Sequence, residues 1–188
     1  LPVLIKLVEA SNIPISVDTY KSMVAHEVLQ SGASIINDIT GLQGSKQMAQ
    51  TISQFHAGVI LMHMQGSPEN MQDRPQYDDV VKEVLGYLQQ SIAIAVAAGI
   101  SLEKIAIDPG IGFGKTDVHN LQILKNLNRL QELSKPVLLG VSRKSLIGSI
   151  LNVPVEERLE GSLAATVFGL TQGVSIIRTH DVRATRRA

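Results

Sequence analysis

Cysteine is absent from the 188 residues, which excludes disulfides and thiolate metal sites and fits a reducing compartment. The cytoplasm is the expected location. Excess charge is absent too: Lys+Arg 17 balances Asp+Glu 17, so nothing in the balance suggests a surface for nucleic acid or an acidic membrane. The one basic cluster, Arg183, Arg186 and Arg187, is terminal. No run of 18 or more apolar residues occurs, and the opening Leu1-Pro2-Val3-Leu4-Ile5 lacks the basic stretch and cleavage signal of a leader. That opening reads as the interior of a helix, so a fragment of a longer chain is expected.

Two nucleotide motifs are also missing, although one stretch suggests them. In Asp108-Pro109-Gly110-Ile111-Gly112-Phe113-Gly114-Lys115, Pro109 stands where a phosphate-binding loop needs glycine, and the glycines follow G-x-G-x-G rather than G-x-G-x-x-G. What the stretch does have is an apolar run, Ile105-Ala106-Ile107, that delivers a carboxylate at the tip of a buried strand. The following glycines let the backbone come close to a ligand. Asp108 is therefore expected at the mouth of a site.

With 44% hydrophobic and 18% charged residues, the chain can bury a sizeable core and is most simply one domain, residues 1–188. Its pattern alternates. Leu4, Leu7 and Val8 have helical spacing before the strand Ile15–Asp18; Lys21–Ser31 reads as a helix burying Val24, Val28 and Leu29, closed by Gly32 before the strand Ser34–Asp38. Ser45 is placed to cap a helix carrying Met48, Ile52 and Phe55, and Val59–Met62 runs into His63. From Met64 to Tyr77 the pattern lapses, in a loop long enough to be functional or a tolerated insertion.

Asp78–Ala98 then presents Val81, Val84, Leu85, Leu88, Ile92 and Val96 on one helical face, and Gly99 stops it. After the Asp108 strand, Leu121, Leu124, Leu127 and Leu130 continue a helical period to Pro136. Val137–Val141 is a strand leading to Ser142, Arg143 and Lys144. A short helix over Ser145–Leu151 precedes one carrying Leu159, Leu163, Val167 and Leu170, and Ser175–Arg178 is the last strand, followed by His180 and Asp181.

Strict alternation predicts an α/β fold with parallel strands and right-handed crossovers. Six strand-helix units are present, where a (β/α)8 TIM barrel has eight. The alternative is an open doubly wound sheet, which needs no further units. The barrel is preferred because Asp18, Asn37, Asp38, His63, Asp108, Ser142, Lys144, Arg178 and His180 all fall at or just after strand C-termini, which a barrel gathers on one face. Each one alone would be a bland turn or cap residue.

Six segments in order resemble the dihydropteroate synthase family. They are Val17-Asp18-Thr19, Ile36-Asn37-Asp38-Ile39, Leu61-Met62-His63-Met64-Gln65-Gly66, the stretch Asp108–Lys115, Gly140-x-Ser142-Arg143-Lys144-Ser145, and Ile177-Arg178-x-His180-Asp181. The resemblance implies a pterin-binding TIM barrel that condenses 6-hydroxymethyl-7,8-dihydropterin pyrophosphate with 4-aminobenzoate, giving dihydropteroate and pyrophosphate. It implies catalytic roles for Asp18, Asp108, Lys144, Arg178 and His180, and pterin contacts from Asp18, Asn37, Met62, Asp108, Phe113, Lys144 and Arg178.

Arg178 and His180 would receive pyrophosphate, and Ser142 and Arg143 the aminobenzoate. The resemblance also implies Mg²⁺, with its main protein ligand in an N-terminal strand and loop that have no counterpart in these residues, and a homodimer through helices of the C-terminal half. Two other readings stay open. One is a pterin-binding methyltransferase domain, which has less use for Ser142-Arg143-Lys144; the other is a barrel that binds pterin without catalysis or serves only as a structural partner.

Overall fold

A computed structural model describes residues 1–188. The chain divides into two compact units, Leu1–His63 with Tyr87–Ile107, and Met64–Gly86 with Asp108–Ala188.

The first unit alternates helices and strands in the expected order. Helix α1 (Pro2–Ala10) starts on a proline, which suits a first turn whose N–H has no partner anyway. There follow β1 (Ser16–Asp18), α2 (Ser22–Gln30), β2 (Ile35–Asp38), α3 (Met48–Gln54), β3 (Gly58–Met62), most of α4 (Val80–Ala97) and β4 (Ile105–Asp108). The strands form one sheet in the order β1-β2-β3-β4, with Val17 opposite Ile36 and Ile36 opposite Val59 in parallel register. Sequential order without reversal is that of a barrel segment; a doubly wound sheet would reverse at a switch point. Ile36, Val59, Leu61, Ile105 and Ile107 are sealed in the core, as near-continuous apolar strands of a parallel sheet should be.

Three expectations for this unit are corrected. In α2 the inward positions are Ala25, Val28 and Leu29, and Val24 faces solvent. Ser45 caps nothing: α3 begins at Met48 behind Gln47, with no side-chain cap. In α4 the inward line here is Leu88, Ser91 and Ala95, and Val96 is exposed. Ser91 can be buried because its hydroxyl donates to the Tyr87 carbonyl (3.0 Å) and accepts from Gln43 (3.2 Å). By length and composition α4 could cross a membrane, but a narrow buried line beside exposed Lys82, Glu83, Gln89 and Gln90 is the pattern of an amphipathic core helix.

The second unit holds an irregular segment from Met64 to Asp79, the first turns of α4, and everything from Asp108 onward. Its elements are α5 (Asp117–Lys125), a 3-10 segment (Leu127–Leu133), β5 (Leu138–Gly140), α6 (Ser145–Leu151), α7 (Leu159–Thr171), β6 (Ile176–Arg178) and α8 (Val182–Arg187). Strands β5 and β6 pair in parallel, Leu139 opposite Ile177. The N-terminus of α5 is fixed by a reciprocal box: the Thr116 hydroxyl accepts from the His119 N–H (3.3 Å) and His119 Nδ1 from the Thr116 N–H (3.2 Å).

The leucine period does not run as one helix to Pro136. Asn126 ends α5, its amide donating to the Gln122 carbonyl (2.8 Å), and the tighter 3-10 winding then brings Leu127 and Leu130 inward while Leu121 stays exposed. In α7 the leucine face is also not the inner one. Ser162, Thr166 and Gly169 are buried, whereas Val167 and Leu170 are exposed. The reason is close approach. A Cβ on Gly169 would lie 2.4 Å from Leu139 Cδ2, and one on Gly161 would lie 2.5 Å from Ile147 Cγ2. Gly169→Val is accordingly expected to cost about 1–3 kcal/mol by overpacking, read as a lower urea midpoint at unchanged slope.

Candidate active site

The structure distributes the expected site residues by unit. Asp18, Asn37 and Met62 belong to the first; Asp108, Phe113, Ser142, Arg143, Lys144, Arg178 and His180 belong to the second.

In the first unit, parallel register sets the tip of β1 beside the tip of β2, Asp18 opposite Asn37. The Asn37 amide donates to Asp18 Oδ1 at 2.9 Å. Asn37 itself is buried, and its Oδ1 has no hydrogen-bond partner. A buried carbonyl oxygen without a partner asks for a donor from a ligand. Met62 is buried at the end of β3.

Asp38 and His63 have other work. The Asp38 carboxylate accepts from the Thr40 N–H, the Thr40 hydroxyl and the Leu42 N–H, and His63 meets the Tyr87 ring edge-on at 4.8 Å. Both serve the interior.

In the second unit, almost every backbone polar group of the turn after Asp108 is tied down. The Gly110 N–H donates to Asp108 Oδ1 (2.7 Å), and the Gly112 N–H to Asn120 Oδ1 (2.8 Å). Carbonyls are held by side chains: Ile111 by Lys144, Gly112 by Gln72 (2.7 Å) and Gly114 by the Tyr77 hydroxyl (2.6 Å). Lys115 donates to both Gly110 and Phe113 carbonyls at 2.9 Å. Gly114 must be glycine, because its φ is +59° and a Cβ would meet the Gln65 backbone at 2.7 Å. So the irregular Met64–Tyr77 segment buttresses the turn.

Asp108 lies at the centre of this arrangement and is buried. Burial pushes its carboxyl above the usual range, and Lys144, the Gly110 N–H, Lys115 and Arg178 all oppose that push. Burial lowers both lysines in turn, Lys115 to about 7, with Asp108 opposing it. The Lys144 ammonium also stands over the Phe113 ring, 4.7 Å from its centroid. One carboxylate, three cations and one aromatic face form a built electrostatic centre.

A cleft of about 220 Å³ opens beside it, lined by Gly140, Ser142, Lys144, Arg178, Thr179 and His180. The β5–β6 pairing sets Gly140 opposite Arg178, which puts the segments after both strands along one wall. The Ser142 hydroxyl accepts from the His180 N–H (3.2 Å) and bonds His180 Nδ1 (2.9 Å).

Arg143 is placed differently from its neighbour. Its guanidinium grips Asp181 with two bonds of 2.8 Å and reaches the Val155 and Glu156 carbonyls. That pairing holds the Asp181 carboxyl below the usual range. No group of three or more His, Asp or Glu gathers to hold a cation, so these residues do not fit a Mg²⁺ site on their own.

The sequence alone does not single out Lys115, Asn120, Gln72 and Tyr77. Asn120 did leave a signal, a polar residue on the same face of α5 as Ile123 and Leu124. The others bond backbone carbonyls, which no side-chain pattern reveals.

The family model for pterin binding enzymes matches residues 1–180. The dihydropteroate synthase of Clostridium beijerinckii is 42% identical over 189 residues, covering 100% of this chain and 68% of that protein. The chain belongs to the dihydropteroate synthase family. Among solved members, the Yersinia pestis dihydropteroate synthase with a sulfonamide drug superposes with a TM-score of 0.95 at 43% identity, covering 99% of this chain and 68% of that one. The Thermus thermophilus dihydropteroate synthase in complex with 4-aminobenzoate gives 0.94 at 39% identity, covering 99% and 72%. The fold is therefore the family's TIM barrel, and the chain spans about two thirds of the length of these relatives. Six strand-helix units of the eight are here.

Proposed function

We propose that the protein is a dihydropteroate synthase, joining the methylene carbon of 6-hydroxymethyl-7,8-dihydropterin pyrophosphate to the amine of 4-aminobenzoate. One observation carries this reading: a buried carboxylate, Asp108, countered by Lys144, Lys115 and Arg178. A pterin presents an amino group and a ring N–H side by side, and an ionised carboxylate can accept both. Lys144 suits the ring carbonyl or nitrogen, Phe113 offers an apolar wall, and Arg178 can fork onto a phosphate or lie over the flat ring. For Asp18, Asn37 and Met62 the family resemblance gives pterin contacts, and the unpartnered Asn37 oxygen supports it.

In the proposed step the bond from the methylene carbon to the pyrophosphate oxygen breaks, and the electron pair leaves with pyrophosphate, whose charge Arg178 and His180 receive. The resulting cation is conjugated with the pterin. The arylamine nitrogen then forms the new C–N bond and loses a proton to solvent. No covalent enzyme intermediate is required. Ser142 is proposed to meet the aminobenzoate; Arg143, committed to Asp181, supports that wall of the cleft rather than offering a free guanidinium.

Association into a homodimer in the cytoplasm belongs to the same proposal, supported by the exposed apolar side chains Val167, Phe168 and Leu170 of α7. The deciding experiment is condensation of the pterin pyrophosphate with labelled 4-aminobenzoate by the whole enzyme. Product that depends on both substrates is expected. Pterin binding without turnover would instead favour a non-catalytic barrel, and turnover independent of aminobenzoate a methyltransferase-like one.

A further inference from the structure

Lys115 is 4% exposed, and lysine is almost never buried so completely unless its charge is used. Its ammonium reaches two backbone carbonyls. The Gly110 and Phe113 carbonyls that it holds, both at 2.9 Å, are the two ends of the turn. A neutral donor could staple those carbonyls, however, without the desolvation that burying an ammonium entails. The charge calls for a reason of its own, and the anion acting on it is Asp108, the residue that opens the turn.

We propose that Lys115 is a positioning residue for pterin binding, its ammonium tying both ends of the Gly110–Phe113 turn and its positive charge favouring the ionised form of Asp108. The inference rests on the pterin reading of Asp108. The groups that act on that carboxylate are Lys144 at the start of α6, Arg178 at the end of β6, Lys115, and the Gly110 N–H; those that act on Lys115 are Asp108 and Lys144. Only an ionised Asp108 can accept both donors of the pterin edge. Removing the Lys115 charge leaves burial less opposed, so Asp108 takes up its proton at higher pH.

The test is pterin affinity across pH in the whole enzyme for wild type, Lys115→Met and Lys115→Arg, with circular dichroism to verify folding. Lys115→Met is expected to move the acid limb of pterin binding upward by about one pH unit, equivalent to about a tenfold loss on the limb. Lys115→Arg should keep the limb at its wild-type position, even where its bulk weakens binding. The KM for 4-aminobenzoate should stay unchanged in both. If Lys115→Met does not fold, Lys115→Gln, which removes the charge and keeps donors, should show the same upward limb.

An affinity loss that is equal at every pH would overturn the proposal, since a turn that merely loosens has no reason to shift a titration. Wild-type binding matched by Lys115→Met would overturn it also. Should wild type itself bind no pterin, the reading of Asp108 fails first and the Lys115 proposal fails with it, a result distinct from either of the others.

Discussion

Asp108→Asn is expected to weaken pterin binding by about a hundredfold or more, the loss of a charge-assisted hydrogen bond plus a buried donor left unpaired. The geometry explains why so small a change does so much. The Gly110 N–H donates to Asp108 Oδ1 at 2.7 Å, so an asparagine would keep its carbonyl there and turn its NH₂ toward the site. A donor would then face the donor edge of the pterin. The substitution also leaves Lys144, Lys115 and Arg178 without the carboxylate that they oppose. Isothermal titration with the pterin checks the result, and unchanged affinity would sink the role given to Asp108.

The fold should respond in the opposite sense. Burial raises the folded-state carboxyl of Asp108 above its unfolded value of 3.8, so the folded chain holds this proton more firmly than the unfolded one. Its contribution to stability is therefore greatest below that unfolded value and declines as pH rises through the folded one. Relative to Asp108→Asn, wild type should lose stability with rising pH over that window. Such a buried charge is retained for binding, at a cost in stability.

How much of this was legible in the sequence depends on what carries the information. Strand ends were legible because apolar runs stop at polar residues, and all six observed strands end within a residue or two of the expected ones. Helix faces were less so. In α7 the residues that pack are the small ones, and leucine spacing points to the wrong side when a neighbour approaches as closely as Leu139 does to Gly169. Within the site, Asp108, Lys144, Arg178 and His180 stood out as polar residues just past strands.

Lys115 did not, although it closes the same stretch, because its partners are carbonyl groups. The pairing of Arg143 with Asp181, in the next strand's segment 38 residues on, is likewise not visible from its place in the sequence. Side chains that answer to distant backbone or to a distant partner need the fold before they can be read.

Asp18, Asp38 and Asp108 show the limit most sharply. Each ends a strand, and nothing local separates them. In the structure Asp18 is exposed and bonded by Asn37, Asp108 is buried under the influence of three cationic side chains, and Asp38 is sealed inside the first unit, accepting from Thr40 twice (2.9 and 2.8 Å) and from the Leu42 N–H (3.0 Å). The turn that Asp38 holds is a demanding one. Gly41 has a left-handed φ of +54°, which glycine adopts freely, but Leu42 has one of +65°, a strain that the surrounding bonds maintain. The Tyr87 hydroxyl adds one more, donating to the Thr40 carbonyl at 2.6 Å.

Asp38→Ala is expected to be the most destabilising of these changes, by about 3–5 kcal/mol, because it leaves three donors unsatisfied at about 1–3 kcal/mol each, with partial relaxation. That is a large share of the roughly 5–15 kcal/mol that holds a domain together. Asp38→Asn should cost less. Its carbonyl can keep the two bonds from Thr40, while its NH₂ meets the Leu42 N–H and loses the third.

The pH dependence gives a second reading. Burial raises the Asp38 carboxyl, the Thr40 and Leu42 bonds opposing, so its contribution is greatest below the unfolded value of 3.8 and declines as pH rises through the folded one. The stability gap between wild type and Asp38→Asn should therefore narrow with rising pH. Tyr87 offers a reporter for the same charge: its phenol is pushed up to about 12, first by burial and then by Asp38. Ultraviolet titration should find that phenol lower in Asp38→Asn. A phenol titration that does not move would mean that Asp38 carries no charge beside Tyr87, and a urea midpoint for Asp38→Ala equal to wild type would remove Asp38 from the structural role given to it.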